Sequence, residues 1–267
     1  MKAWWELYRA YLRTGIAVMI QYRASMFIWM IGRIVEPVIY LVVWSTVARS
    51  RGGAVGGFSV PDVAAYYIVL LLVNQFTFSW IMFEYEHRVR TGSFSFMLLR
   101  PVHPLHEDLA YNLAYKLITL VVTVPTAVLL VLVFEPAWEM QPWLLVLFLP
   151  SLLLGFLLRF LLEWTLAQAA HWTTRTSALN QVYFFALVFL SGRVAPLELF
   201  PAPIQTAAQV LPFYWMVAFP TELLLGRLPA EAVWTGLAVQ GAYLGLSLGL
   251  LALVWRAGVR RYSAVGG

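Results

Sequence analysis

The chain has 267 residues, 61% of them hydrophobic and 12% charged, with a formal net charge of +5 and no cysteine. Soluble domains carry about 25% charged residues, so a water-soluble globular protein is excluded, as are disulfides, thiol nucleophiles and thiolate metal sites. In so apolar a chain a basic excess encodes topology and contact with anionic membrane lipids rather than nucleic-acid binding.

Residues 1–24 read as an interfacial helix. Lys2, Glu6, Arg9 and Arg13 form one polar stripe, and Trp4, Trp5, Tyr8, Tyr11, Leu12, Ile16 and Met19 cover the rest. That pattern suits a helix lying in the headgroup plane, and it lacks the apolar core and small-residue cleavage site of a signal peptide. Six apolar stretches follow, at 25–48, 62–83, 109–134, 143–168, 177–195 and 232–256. About 20 apolar residues cross a bilayer as a helix, whereas barrel strands alternate over about 10. The expected fold is therefore an all-α integral membrane protein with six transmembrane helices. Pro125 and Pro150 fall inside spans three and four, which membrane helices tolerate when neighbouring groups satisfy the freed carbonyls.

The connections differ in kind. Arg49 to Pro61 contains RGGAVGG and is expected to be a flexible linker. Glu84 to Leu105, EYEHRVRTGSFSFMLLRPVHPL, opens as a polar helix, breaks at Gly92 and ends in a Pro-flanked apolar stretch; it reads as a water-facing surface for a soluble partner. Pro196 to Pro229 holds six of the fourteen prolines, yet it is too apolar for a solvated loop. Short helices that dip into the membrane and return explain both properties. Lys and Arg, with Lys116 among them, favour the side of the N-terminus by twelve to four, so both termini are expected in the cytoplasm.

Catalytic signatures are missing. There is no G-x-x-x-x-G-K-[ST] phosphate loop and no H-E-x-x-H zinc spacing, so neither ATP nor metal has a recognisable cradle. His87, His103 and His106 lie near one another, but Pro101 and Pro104 break the helical spacing a metal site requires. Ser191-Gly192 is half of a serine-nucleophile turn with no His or Asp at the same depth. Charges within spans carry more weight because burying them is costly. Arg33 and Glu36 are three apart, and Arg159 and Glu163 four apart; both spacings place the side chains within pairing reach. Each pair, like the run Asn74, Gln75, Thr77 and Ser79, is read either as a structural contact or as the lining of a transport path or subunit seam.

Two blocks carry a family resemblance. In RTGSFSFMLLRPVHPL the residues are Gly92, Leu98, Leu99, Arg100 and Pro101. In FLSGRVAPLELFPAPIQTAAQVLPFYWMVAFPTELLLG they are Ser191, Gly192, Pro196, Leu197, Phe200, Pro201, Leu211, Pro212, Phe213, Pro220 and Gly226. The chain resembles permease subunits of type-2 ATP-binding-cassette transporters, the six-span family with a separate ATPase polypeptide. Arg193 departs from the apolar residue expected after that glycine.

The resemblance implies one permease domain over 1–267 in the cytoplasmic (inner) membrane. It implies a second permease chain, identical or paralogous, and a cytoplasmic ATPase subunit that holds ATP and Mg, with no cofactor in this chain. Residues 1–24 would form the elbow helix, 84–105 the coupling segment and 196–229 the extracellular re-entrant gate. Family members mostly export drugs, lipids or glycans. A coupling element needs a folded apolar contact, which Phe94, Phe96, Met97 and Leu98 supply, with Arg88, Arg90 and Arg100 as a charged rim. A path between two copies would run along spans two and five, with Asn74, Gln75, Phe76, Phe78, Tyr183, Phe184 and Phe189 as lining candidates. Alternatives are an ATP-independent carrier or channel using the Arg–Glu pairs, and an intramembrane lipid-modifying enzyme using Glu36, Glu163 or His171.

Overall fold

The computed structural model describes residues 2–138, 141–173 and 175–263. Helix α1 (Lys2–Gln21) is followed after Tyr22 by α2 (Arg23–Ser50). A hairpin of β1 (Ala54–Val55) and β2 (Phe58–Ser59) leads into α3 (Val60–Thr77) and α4 (Ile81–Arg90). Then come α5 (Phe94–Leu98), α6 (Pro104–Phe134), α7 (Pro142–Ala167) and a 3-10 turn at Gln168–His171. The remainder is α8 (Ser177–Leu190), a 3-10 turn at Leu197–Leu199, α9 (Ala202–Val210), α10 (Pro212–Met216), α11 (Ala218–Leu224) and α12 (Ala230–Arg261).

Among the described residues, five helical stretches are long and apolar enough to cross a membrane: α2, α3 with α4, α6, α7 with its 3-10 turn, and α12. The protein is thus an all-α, multi-pass membrane protein. The expected fifth span is shorter than predicted. Helix α8 has 14 residues, about 21 Å at 1.5 Å per residue, against a hydrocarbon core of about 30 Å. It stops where Gly192 takes φ +77°, a left-handed conformation that ends helices.

The expected flexible linker is instead a two-residue hairpin pairing Ala54 with Ser59 and Val55 with Phe58. Gly56 and Gly57 both have positive φ, 53° and 82°, the requirement of the tight turn that matches strand twist. Phe58 is buried and carries the Arg227 guanidinium 3.5 Å above its ring, so the hairpin is docked rather than loose. Ser59 then caps α3: its backbone N–H donates to the Asp62 carboxylate at 2.9 Å, and the Asp62 N–H donates back to its hydroxyl at 3.3 Å, a reciprocal capping box.

Helix α3 is the centre of the bundle, flanked by α2, α6, α7 and α11; α12 packs along α7, and α1 along the start of α6. Small residues allow the close approaches that drive association in lipid: a Cβ on Gly155 of α7 would lie 2.7 Å from the Met216 carbonyl oxygen, and one on Gly236 of α12 would lie 2.1 Å from the Phe219 ring. The Pro-rich stretch before α12 is divided: α9 is largely exposed, with only Ala208 buried, whereas α10 and α11 turn inward. Every residue of α11 is buried, and α10 and α11 sit against α7.

Candidate functional site

At one end of the bundle, α4 runs into a turn at Gly92 (φ +75°) and the five-residue α5 folds back beneath it. Phe94 is enclosed by aromatic rings, with centroids at 4.9 Å (Tyr85), 5.4 Å (His171), 5.4 Å (Tyr262) and 6.1 Å (Trp255). The Tyr85 hydroxyl and His171 Nε2 are hydrogen-bonded at 2.8 Å, and the Ser95 and Tyr262 hydroxyls at 2.9 Å. A five-residue helix cannot hold itself together; here the cage and the end of α12 hold it.

The cage corrects four expectations for the coupling segment. Phe94 and Met97 face the bundle interior and do not present an outward contact. Leu98 is half-buried. Arg88 is no rim charge: its Nη1 lies 2.5 Å from Asp108 and its Nε 3.2 Å from Glu84. The outward surface consists of Phe96 (69% exposed) and Leu99 (82% exposed), with Arg90, Arg100 and Pro101 beside them; Arg100 pairs with Glu107 at 2.5 Å. The nearby histidines diverge: His103 lies 4.2 Å from the Trp255 ring and His106 bonds the Tyr8 hydroxyl at 2.8 Å. Burial first, and His106 second, hold His103 below the ordinary histidine range, which favours the uncharged ring that packs on tryptophan.

Within the bundle a polar network ties α3, α7 and α8. Arg159 Nε is 2.8 Å from Glu163 Oε1, and its Nη1 donates to Asn74 Oδ1 at 3.3 Å and Thr77 Oγ1 at 3.5 Å. The Tyr183 hydroxyl donates to the same Glu163 oxygen at 3.0 Å. The expected Arg33–Glu36 pair is absent. Glu36 is held through both oxygens by Arg193, at 2.6 and 2.7 Å, and Arg33 stacks 3.0 Å above the Phe78 ring. A three-residue spacing permits a contact, but Arg193, in the turn after α8, brings one guanidinium nitrogen within 2.6 and 2.7 Å of both carboxylate oxygens, a charge-assisted contact that takes the carboxylate. The unexpected Arg193 is therefore the strap between α2 and the end of α8.

Lys116, counted among the cytoplasmic charges, is buried instead. Its ammonium donates to the Phe78 carbonyl at 2.8 Å, in the break between α3 and α4 where that carbonyl has lost its helical partner. Such a backbone interruption inside a membrane is tolerated only when its polar groups are satisfied. The signal was available: a lysine well inside a 31-residue apolar helix is a functional or structural residue by default.

The seven lining candidates do not share one open surface. Asn74 and Tyr183 belong to the network, Gln75 is buried, and Phe78 lies beneath Arg33. Phe76 packs edge-on against Phe156 at 6.0 Å, Phe184 stacks on Phe83 at 5.8 Å, and Phe189 meets Phe185 at 4.7 Å on an exposed face. At the other end of the bundle, Ser191 is buried and the Gly192 carbonyl accepts the Tyr66 hydroxyl at 2.8 Å. Pro196, Leu197, Phe213 and Pro220 are also buried, Phe200 and Pro212 are half-buried, and Pro201 and Leu211 are exposed. Gly226 has φ +69°. Tyr214 donates to Glu222 at 2.6 Å, and Gln240 of α12 donates to the Trp215 carbonyl at 2.7 Å.

Membrane-length helices around a charged internal network, with a short helix pinned at one end, define a multi-pass membrane protein. The family model described as ABC-2 family transporter protein matches residues 34–266, and the chain belongs to that family. It is a membrane transport component rather than the ATPase itself, and the family associates with an ATP-binding subunit. No curated protein matches the chain.

Proposed function

We propose that the chain is the permease half of an ATP-driven exporter of hydrophobic or amphipathic compounds in the cytoplasmic membrane. Two permease chains pair, each seated on a cytoplasmic ATPase subunit that binds ATP and Mg, with both termini of the permease in the cytoplasm. The observation that supports this best is the construction of α5. Its inner face is locked into the bundle through Phe94 and Met97, while Phe96 and Leu99 stand outward. An exposed apolar patch on a rigidly anchored element suits a protein contact, and rigid anchorage lets a push on that patch reach α4, α7 and α12. The segment 196–229 acts as the gate on the opposite side.

The test is a mild-detergent pull-down with an ATPase assay on Phe96→Asp and Leu99→Asp. Co-purified ATPase should fall by roughly tenfold or more, as loss of a buried interface anchor does, while membrane insertion is unchanged. Phe94→Asp, by contrast, should reduce the folded yield itself. Normal capture and coupled hydrolysis in both outward variants would reject the docking role of α5.

A further inference from the structure

A cavity of about 710 Å³ opens between α1 and α2 on one side and α4 and α6 on the other. Its walls are soft and apolar, formed by Met19, Met26, Trp29, Ile81, Met97 and Tyr115. Methionine and aromatic rings suit varied apolar shapes because they are polarisable and adaptable. Charges mark its two ends. Glu84, Arg88, Glu107 and Asp108 line the end towards α5, and these are mutually spent: Arg88 takes Asp108 and Glu84, and Arg100 takes Glu107.

Arg33 lines the other end and is not spent. Among the described residues no carboxylate lies within ion-pairing distance of it; Glu36, one turn on, is taken by Arg193. One face of the guanidinium rests on Phe78, which leaves its edge of N–H donors free. Phe78 is also approached by Arg159, 5.5 Å from its ring, and its carbonyl is bound by Lys116. Three cations thus surround this one residue, and Glu163, paired with Arg159, is the carboxylate bonded among them. An unmatched cation inside a membrane is costly, and a planar fork of donors is the group suited to an oxyanion.

We propose that this cavity binds a drug-sized anionic amphiphile entering from the cytoplasmic leaflet. Its phosphate-like head bonds Arg33, and its apolar arm lies along the Met–Trp wall. The volume falls in the range of pockets for drug-sized ligands, about 300–1,000 Å³. As cargo recognition the inference rests on the exporter reading; as binding it is measured without ATP.

The experiment uses the full chain with its co-purified partner in lipid nanodiscs, labelled with diazirine-tagged dodecyl phosphate, dodecyl trimethylammonium or a two-chain phosphatidylglycerol. Cross-links are mapped by mass spectrometry to peptides carrying Met26 and Tyr115. The phosphate probe should label these at least about tenfold more than the ammonium probe, the effect of one charge-assisted contact. Arg33→Gln should remove that preference and Arg33→Lys should retain part of it. Met26→Trp, which fills the cavity, should lower labelling by both single-chain probes. Equal labelling by both headgroups, an unchanged preference in Arg33→Gln, or stronger labelling by the two-chain lipid would overturn the site. None of those results bears on partner capture, so the permease reading stands or falls separately.

Discussion

Helix α3 and helix α12 look alike as sequence but stand in different surroundings. The apolar window of the span containing α3 has mean hydropathy 1.5 and is 78% buried, whereas that of α12 has mean hydropathy 1.9 and is 17% buried. The less hydrophobic window is the more buried one. In water the order would be reversed. In lipid, an apolar surface is already solvated, so burial goes to helices whose polar groups need protein partners. Asn74 and Thr77 of α3 find Arg159, and Tyr66 and Tyr67 bond the Gly192 and Val194 carbonyls. Most of the length of α12 faces outward with Leu246, Leu248, Leu250 and Leu253.

The comparison can be broken most severely in the α3–α7 network. Glu163→Ala leaves Arg159 as an uncompensated buried charge, which should destabilise by about 3–5 kcal/mol in thermal unfolding of the detergent-solubilised protein. The double change Arg159→Met with Glu163→Leu should recover most of that loss, since an apolar pair of similar volume often replaces a buried ion pair without penalty. Equal losses in single and double variants would mean that the charges are not coupled.

A smaller effect is expected where α12 touches the interior. Gly236→Ala places a methyl 2.1 Å from the ring of Phe219, which is itself buried. Overpacking of this kind should cost about 1–3 kcal/mol, read as a fall in Tm. The smallest effect belongs to the outward face of the same helix. A Cβ on Gly245 meets nothing within 4 Å, so Gly245→Ala should shift stability by less than about 1 kcal/mol, towards the more stable side through better helix propensity. Matching losses at Gly236 and Gly245 would show that α12 is covered along both faces.

The helical membrane class was legible in the sequence because hydropathy over twenty residues measures lipid compatibility directly. The break at Gly92 was legible because a glycine turn has few alternatives; in the Pro-rich segment before α12, composition did not tell that α11 is buried while α9 is largely exposed. The partner of each charge was not legible either. Spacing along a helix told that Glu163 can reach Arg159, and it does. The same logic applied to Arg33 and Glu36 failed because Arg193, 157 positions away, competes for the carboxylate. Nor did it reveal which side of α5 faces inward, since Phe94 and Phe96 are chemically identical and their cage comes from Tyr85, His171, Trp255 and Tyr262.

By itself the sequence determined the solvent of this protein, the number of apolar segments and the turn at Gly92, because those follow from local composition and the backbone preference of glycine; it did not show the break at Phe78–Trp80, which has neither glycine nor proline. The tertiary structure alone decided that α8 is short, that α3 is central, that Lys116 bonds a carbonyl in a broken helix and that Arg33 faces a cavity without a counterion among the described residues. Each of those depends on which distant groups compete for the same donor, acceptor or space, and in a membrane that competition, rather than hydropathy, sets which helix lies inside.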